Sequence, residues 1–325
     1  MCTAISYRGG THYFGRTLDL EYGYHETVTV TPRRFPLPFR LAGKMETHHA
    51  IIGISAGEPR DYPLYYDGAN EHGLAMAALN FPNYAHYPPA GEAAGDRIAP
   101  FELILWVLGQ CADADEAEAL LQHCTVVNLP FSDALPLTPL HWMIADRLRS
   151  LVVESTAEGM RVFRNPVDVM TNSPDFPAQL GHLQSFRALS AQEPPCRFPG
   201  QDRLPGVGRG LGAVGLPGDW SSPSRFVRAA FALGNAPRDI DEFTALEDFF
   251  RIADCVSVPR GCVRVEDGDV ITRYTACADT ARGLYYWTTG RNRQIQCVSL
   301  HRAAPEGDQL RRFPLYTPRQ IRPHN

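Results

Sequence analysis

The order of short β-rich and helical segments is the feature that most constrains this fold. Alternating apolar residues and intervening turn residues predict strands of about five or six residues, the usual length of antiparallel strands. These strands cover residues 3–7, 11–15, 27–30, 50–54, 64–66, 74–79, 140–145, 151–154, 160–163, 271–276, 283–288 and 294–300. Runs of strands around paired helices favour an α+β chain with antiparallel sheets over a βαβ repeat.

Four helices are predicted from apolar periodicity and capping signals. Asp113 and Glu116 have capping-box spacing, and Ser222-Pro223 supplies an N-cap and a first helical residue. The predicted helices cover residues 100–111, 113–123, a segment that begins at 222–223, and 241–252. The Pro- and Gly-rich stretch 193–223 is predicted to be a long ordered loop.

Composition excludes several classes of protein. The chain has 325 residues, 44% hydrophobic, with 36 acidic against 31 basic residues, so a nucleic-acid partner is disfavoured. The start lacks the basic and apolar regions of a signal peptide, and the most apolar stretch, 101–108, is too short to span a bilayer. We therefore expect a cytoplasmic protein that does not enter membranes. Length alone suggests about two domains, although a single large sandwich also reaches this size.

The eight cysteines favour reduced thiols over a disulfide framework, because a core of this size needs no covalent cross-links. No Cys-x-x-Cys pair occurs, and His123-Cys124 has no partners at metal-ligand spacing, so a structural zinc site is not expected there.

Two glycine-containing motifs match catalytic patterns but lack the required context. Residues 53–57 match G-x-S-x-G, yet Pro59 and Pro63 follow where a nucleophile elbow needs a helix. Residues 210–215 match G-x-G-x-x-G without the flanking strand and helix of a dinucleotide site. We interpret the first as a small-residue turn between strands and the second as a loop.

Cys2 is the third candidate. If Met1 is removed, the thiol and a free α-amine belong to one residue, which then supplies both nucleophile and base. Reference pKa values are about 8.5 for a thiol and about 7.7–8.0 for an α-amine, so proton exchange between them costs only about 1 kcal/mol. Position alone is also compatible with a small residue that begins an edge strand.

A set of motifs spread along the chain favours the catalytic interpretation. They are Cys2-Thr3-Ala4-Ile5, residues 13–19 (YFGRTLD), residues 70–74 (NEHGL) with 79–82 (LNFP), residues 140–142 (LHW), residues 171–174 (TNSP) and residues 217–226 (PGDWSSPSRF). In this order they resemble the choloylglycine hydrolase family of N-terminal nucleophile hydrolases, which includes bile salt hydrolases and penicillin V acylases. The resemblance covers essentially the whole chain and implies a single domain, 1–325, folded as a four-layer αββα sandwich.

The resemblance also implies roles for individual residues. Cys2 is the expected nucleophile and, through its freed amine, the base. Arg16 is expected beside the thiol, where a guanidinium favours the thiolate, and Asp19 is expected to bind the α-ammonium. Arg225 matches the remaining arginine of the site. A surface ion pair between Arg16 and Asp19 and a purely structural Arg225 are the alternatives.

Asn80 and Asn172 match positions of the oxyanion site, although both types of residue are also common in turns. Among members of the family that the sequence resembles, Asn at the position of residue 80 favours bile salt hydrolysis over penicillin V hydrolysis. Candidates for the apolar wall that a steroid requires are Leu18 and, in the loop 126–139, Phe131 and Leu135.

The expected reaction is hydrolysis of glycine- or taurine-conjugated bile acids through a thioester on Cys2, with no metal or organic cofactor. Penicillin V acylase activity is the nearer alternative, and a non-catalytic binding protein of the same fold is the more distant one. The resemblance implies a homotetramer, which the composition does not require.

Overall fold

The strands of the structure agree in order with the predicted ones. The computed structural model describes residues 1–200 and 208–324. Its strands are β1 (Cys2–Gly9), β2 (Thr11–Leu20), β3 (Thr27–Thr31), β4 (Leu37–Pro38), β5 (Lys44–Met45), β6 (Ile51–Ser55), β7 (Tyr65–Asn70), β8 (Ala75–Asn80), β9 (Asp96–Ile98), β10 (Cys124–Val126), β11 (Leu140–Ala145), β12 (Ser150–Thr156), β13 (Gly159–Arg164), β14 (Val169–Met170), β15 (Arg264–Val265), β16 (Gly268–Asp269), β17 (Ile271–Asp279), β18 (Leu284–Thr289), β19 (Gln296–Ser299) and β20 (Arg311–Pro314).

Two antiparallel sheets form the centre of the molecule. The first contains six strands in the order β14-β1-β2-β17-β18-β19, and the second contains eight in the order β13-β12-β11-β8-β7-β6-β3-β20. β1 and β2 pair as a hairpin in which Cys2 is opposite Leu18. The hairpin therefore places the start of the chain in the interior of the six-stranded sheet.

The described residues include five α-helices. They are α1 (Leu103–Gln110), α2 (Ala114–Leu121), α3 (Phe176–Leu183), α4 (Ser222–Asn235) and α5 (Glu242–Asp254). Of these, α1, α2, α4 and α5 pack on strands and α3 packs on α4. α1 packs on β7 and β8, whereas α4 and α5 pack on β1 and other strands of the six-stranded sheet, and β1 and β2 face β7 and β8. The layers are thus α, β, β and α, which confirms the predicted sandwich.

Side-chain alternation assigns each strand residue of the eight-stranded sheet to one of two cores. Met143 in β11 is buried among the residues between the sheets, while its neighbour Ile144 is buried on the opposite face, among those beneath α1 and α2. Because side chains alternate with a period of two residues, both ends of β11 could be predicted from the sequence.

The helix starts differ from the predictions by one to three residues. Asp113 caps α2 as predicted by accepting from the backbone N–H groups of Asp115 and Glu116, but the Glu116 carboxylate accepts from Ala112 instead of closing a capping box. At α4 the N-cap is Ser221, so Ser222 is the first helical residue. The predicted N-cap position was therefore wrong by one, which leaves the Ser222 hydroxyl available for other contacts.

The interpretation of residues 53–57 as a turn between strands was wrong for residues 53–55, which are in β6, whereas residues 56–57 lie in the connection to β7. Gly53 and Ser55 are inside β6, and a Cβ at Gly53 would lie 2.0 Å from the carbonyl oxygen of Asp67 in β7. Ser55 is fully buried and bonds the Thr29 hydroxyl at 2.8 Å. The glycine thus permits close pairing of two strands. Residues 210–215 are in a loop, as predicted, with one short 3-10 turn, Leu211–Ala213; residues 201–207 of the predicted loop lie outside the described residues.

No helix in the described parts of the chain is both long enough and apolar enough to cross a bilayer. All eight cysteines are free.

Candidate active site

The start of β1 is fixed by contacts to distant parts of the chain. Cys2 is 3% exposed, and its backbone N–H donates to the Asn172 side-chain oxygen at 2.8 Å. The α-amine of Met1 donates to the backbone carbonyl of Asp19 at 2.7 Å, and the Asp19 N–H donates to the Met1 carbonyl at 2.9 Å. The sequence-distant residues Cys2, Asp19 and Asn172 are therefore neighbours, as the family resemblance implies.

Arg225 ties this cluster to α4. It is fully buried, and its Nη1 donates to the Cys2 carbonyl at 2.5 Å and to the Thr3 hydroxyl at 2.7 Å, while Nη2 donates to Asn172 Oδ1 at 2.8 Å. Burial lowers the pKa of Arg225, and attraction to Asp19 and Cys2 opposes that shift. The guanidinium contacts two of the predicted site residues directly, and its role in the reaction stays a prediction.

Asn172 is the residue that joins the most members of the site. Its Oδ1 accepts from both Cys2 and Arg225, and its Nδ2 donates to the Asn80 carbonyl at 2.7 Å. One N–H of the carboxamide remains for a ligand. The Asn80 side chain is exposed at the end of β8, where no hydrogen bond from it is found among the described residues. The two predicted oxyanion donors thus lie side by side.

Arg16 lies behind the thiol, with its side chain directed into the eight-stranded sheet. Its Nη1 donates to the Ala78 carbonyl at 2.7 Å and to the Tyr66 carbonyl at 3.3 Å, whereas the buried Nη2 has no partner within the described part of the chain. Burial acts to lower the pKa of Arg16, but attraction to Cys2 and to three other groups raises it above its usual value. One guanidinium nitrogen is therefore without a hydrogen-bond acceptor among the described residues, and its action on a thiolate at Cys2 stays a prediction.

Two hydroxyls hold the carboxylate of Asp19. Thr272 Oγ1 donates to Oδ1 at 2.6 Å and Thr17 Oγ1 to Oδ2 at 3.3 Å. Burial raises the pKa of Asp19, and Arg225 is the largest opposing influence. The expected bond from an α-ammonium to this carboxylate is absent within the described residues, since the amine present is that of Met1 and it binds the Asp19 carbonyl instead. For the chain without Met1 that bond stays a prediction.

The three predicted substrate contacts differ in their surroundings. Leu18 is 3% exposed and lies opposite Cys2 in the β1–β2 hairpin. Phe131 packs in an aromatic cluster with Tyr62 and Phe101, at centroid distances of 5.8 and 5.1 Å, and the Arg40 guanidinium lies 5.3 Å from its ring. Leu135 is partly exposed in a tight turn with Ser132. Their contact with a substrate stays a prediction.

Several residues that support the site were not identified from the sequence. Ser222 accepts a hydrogen bond from the Asn172 N–H at 2.9 Å, and Gln179 donates to the Asn172 carbonyl at 3.1 Å. Ser222 lies inside a matched motif, but its spacing indicated only a helix start. Gln179 is in α3, a helix that the sequence did not predict because it is short and contains Pro177.

A buried polar network beneath Arg16 was also missed. The Asp67 carboxylate accepts from the hydroxyls of Tyr274, at 3.0 Å, and Tyr285, and so links β7 to the six-stranded sheet. Burial raises the pKa of Asp67, with Arg16 the largest opposing influence. Asp67-Gly68 had the composition of a turn, so no local signal marked the carboxylate as buried.

Comparisons with known proteins show the family and the fold of the chain. The family profile described as linear amide C–N hydrolases, choloylglycine hydrolase family, matches residues 2–308. The bile salt hydrolase/transferase of Lactiplantibacillus plantarum is 45% identical over 97% of both chains. A crystal structure of the C2A mutant of conjugated bile acid hydrolase from Clostridium perfringens covers 100% of both chains with 33% identity and a TM-score of 0.91. Penicillin V acylase from Agrobacterium tumefaciens, 22% identical over 97% of this chain and 92% of its own, has the same fold with a TM-score of 0.75.

Proposed function

Since this chain belongs to the choloylglycine hydrolase family of linear amide C–N hydrolases, we propose that it hydrolyses the amide bond of bile acids conjugated to glycine or taurine. The observation that carries the proposal is the position of Cys2 at the head of β1, bonded to Asn172 and Arg225. The bile salt hydrolase/transferase that is 45% identical over 97% of both chains supports this substrate class.

The reaction begins with removal of Met1. Cys2 then carries a free α-amine in the place where its backbone nitrogen already donates to Asn172 Oδ1. The amine accepts the thiol proton, and the thiolate is stabilised by attraction to the guanidinium of Arg16. The buried carboxylate of Asp19 lies close to the N-terminal amine, whose positive charge acts to lower the pKa of the carboxyl group.

The thiolate attacks the carbonyl carbon of the substrate amide. The free N–H of Asn172 and the exposed side chain of Asn80 stabilise the charge that develops on the carbonyl oxygen. The α-ammonium returns its proton to the leaving amine of glycine or taurine, and the bile acid stays on Cys2 as a thioester. Water then attacks the thioester, its proton passes to the amine, and the free bile acid leaves.

A substrate panel tests the assignment. Glycocholate, taurocholate and penicillin V are compared at equal concentrations with the purified protein, and the released amine or side-chain acid is measured. We expect kcat/KM to be higher for at least one conjugated bile acid than for penicillin V. Faster penicillin V hydrolysis would assign the chain to the penicillin V acylase branch instead.

Intact mass and one substitution test the mechanism. We expect the purified chain to lack Met1, and we expect Cys2→Ala to remove amide hydrolysis while the thermal midpoint stays close to that of the parent chain. A chain that keeps Met1 and is active, or an active Cys2→Ala protein, would contradict the role of Cys2. A folded, processed chain with no turnover of any linear amide would favour a non-catalytic binding protein.

We propose that the active form is a single-domain homotetramer in the cytoplasm. Three large apolar side chains, those of Phe198, Val214 and Phe243, are 73%, 74% and 78% exposed, and burial in a subunit interface would remove them from water. The exposed free thiols of Cys255, Cys262 and Cys297 suit a reducing compartment. Light scattering is expected to give the mass of four chains, and cell fractionation is expected to recover the protein with cytoplasmic markers.

A further inference from the structure

Two histidines and a glutamate meet at the β7–β8 turn. His72 and Glu71 belong to the turn, and His49 lies just before β6. One side-chain nitrogen of each histidine and one carboxylate oxygen all lie within 4.8 Å of one another. The two rings are 4.3 Å apart at an angle of 69°, so they meet edge to face and do not stack. Imidazole and carboxylate are ligands that suit zinc and neighbouring divalent metals.

Backbone hydrogen bonds hold these segments together. The Glu71 N–H donates to the Ala50 carbonyl at 3.0 Å, the Ala50 N–H donates to Glu71 Oε1 at 2.7 Å, and the His49 N–H donates to the Gly109 carbonyl at 3.0 Å. The backbone on both sides of the cluster is therefore fixed, and only side-chain rotation is needed to bring the ligand atoms closer. A preorganised backbone lowers the entropy lost on binding.

Glu71 is hydrogen-bonded at both carboxylate oxygens. Oε1 accepts from Arg33 Nε at 2.8 Å and from the Ala50 N–H at 2.7 Å, and Oε2 accepts from Arg33 Nη2 and, at 3.0 Å, from the same Nε. The bond from Nε to Oε2 is the longer branch of a shared hydrogen bond, so a cation at Oε2 replaces only that branch. The carboxylate is 7% exposed and Arg33 is 40% exposed. Arg33 thus has the role of the outer-shell partners that orient carboxylate ligands in metal sites.

We propose that His49, Glu71 and His72 bind a divalent transition-metal ion such as Zn²⁺, with water completing the shell. Tetrahedral zinc binds nitrogen and oxygen at about 2.0–2.2 Å, which places its ligand atoms about 3.3 Å apart. The present separations are at most 4.8 Å and need to contract by about 1.5 Å at most, through rotation of the three side chains, of which that of His72 is exposed.

The site is distinct from the catalytic centre. The turn precedes β8, whose six residues lead from Ala75 to Asn80, and Asn80 is at the active site. At about 3.4 Å per residue the strand separates the two by about 17 Å or more. A metal here would clamp the β7–β8 turn to the segment before β6, so its effect would be on stability and not on turnover.

Cobalt binding tests the proposal, because Co²⁺ reports its ligands by visible absorption. The parent chain, His49→Ala, His72→Ala and the matched control His123→Ala, an exposed histidine elsewhere, are titrated with Co²⁺ alone. We expect about one equivalent per chain in the parent and control, without the near-ultraviolet band of thiolate ligation. Affinity in the two site variants is expected to fall at least about ten-fold, since loss of even an outer-shell partner costs about that much.

Thermal unfolding in Zn²⁺ completes the test. The midpoint should rise in the parent chain and His123→Ala and stay unchanged in His49→Ala and His72→Ala, whose metal-free midpoints show whether they are folded. Absence of Co²⁺ uptake, uptake that is equal in all four proteins, or a thiolate band that accounts for all of the bound cobalt would overturn the proposal. The outcome is independent of which amide the enzyme hydrolyses.

Discussion

Asn172 connects more site residues than any single motif indicated. Its carboxamide oxygen accepts hydrogen bonds from Cys2 and Arg225, while its nitrogen donates to the Asn80 carbonyl. An oxygen shared by two donors fixes the position of the Cys2 nitrogen, so in the proposed mechanism Asn172 positions the base as well as the developing oxyanion. The two amides of the site therefore differ: Asn172 is buried and fully oriented, and Asn80 is exposed.

The substitutions Asn172→Ala and Asn80→Ala separate these roles. Loss of an oxyanion donor lowers kcat by about 10²–10³, and we expect both variants to show this. Only Asn172→Ala leaves Arg225 Nη2 buried without an acceptor, which costs about 1–3 kcal/mol in the free energy of unfolding. Urea unfolding and initial rates are the measurements. An unchanged kcat in Asn80→Ala would remove its side chain from the oxyanion site.

Asp67 competes with the thiolate for Arg16. Replacement of its carboxylate in Asp67→Asn removes one of the negative charges that attract this guanidinium. Arg16 then interacts more strongly with a thiolate, so we expect the acid limb of the kcat/KM profile to move to lower pH by up to about one unit, the size of effect that a nearby charge produces. The measurement is a pH–rate profile on one conjugated bile acid.

Tyr285→Phe is the control for that substitution. It removes a hydrogen bond to the same carboxylate without removing charge. We expect it to lower stability and to leave the acid limb in place. An equal loss of rate at every pH in both variants would mean that Asp67 has only a structural role.

The site residues that could be predicted from the sequence are those inside the motifs that carry the family resemblance. Residue type and position alone left Cys2 compatible with a small residue at the start of an edge strand, although pairing of β1 with β2 brings it near Arg16 and Asp19. The position of Gln179 depends on how α3 packs against α4, and that of Asp67 on the approach of two sheets. Such long-range placement has no counterpart in local sequence.

Among the elements, the strict alternation of β11 allowed both of its ends to be predicted, whereas the end of β7, which contains a buried carboxylate and a glycine, was not predicted. β11 was predicted to its last residue because Trp142 and Ile144 face one core and Met143 the other. β7 was predicted to end before Asp67, whose carboxylate is satisfied by tyrosines of the other sheet. The short pair β9 and β10 depends on parallel contact between distant segments, so no local pattern reveals it.

Gly53 tests the close approach of β6 and β7. In Gly53→Ala the new methyl group would lie 2.0 Å from the Asp67 carbonyl oxygen, so the strands must separate. We expect a loss of at least about 1–3 kcal/mol, typical of overpacked sites. The control Gly234→Ala is helical with no atom within 4 Å of the added Cβ, and should gain about 0.5–1 kcal/mol. Equal effects in urea unfolding would contradict the close approach.

His12 makes the stability of the folded chain depend on pH through the β1–β2 hairpin. Its ring is buried between the hydroxyls of Ser6, at 3.0 Å, and Thr280, at 2.8 Å, and burial, followed by Arg8, lowers its pKa to about 3. The unfolded chain, with a histidine pKa of about 6.5, binds this proton first, so the stabilisation is present above about pH 6.5 and declines as the pH falls toward the folded value.

Linkage sets the size of this effect. Between about pH 7 and about pH 5 the parent chain should lose about 2 kcal/mol of unfolding free energy through His12. The variant His12→Gln has no such proton to bind, so its stability should decline less over the same range, whatever its value at neutral pH. Urea unfolding at both pH values is the measurement, and parallel curves for the two proteins would contradict the assignment.

At the scale of the whole molecule, the eight-stranded sheet is shared by both cores. One core fills the space between the sheets and extends beneath α4 and α5, and the other lies beneath α1 and α2. Length alone suggested about two domains. Each core is bounded by strands of the eight-stranded sheet, so neither core can form without strands that also bound the other. A sheet with two buried faces therefore predicts one cooperative unit.

Adjacent residues of β11 test this directly. Met143→Ala removes side-chain volume from the core between the sheets, and Ile144→Ala removes it from the core beneath α1 and α2. Each should cost about 2–5 kcal/mol, the usual effect of such truncations. Because the two cores share β11, each variant should show one transition, with far-ultraviolet circular dichroism, tryptophan fluorescence and residual hydrolase activity shifted together. Two separated transitions, with only one displaced by each substitution, would mean that the cores unfold independently and that the sandwich is two units and not one.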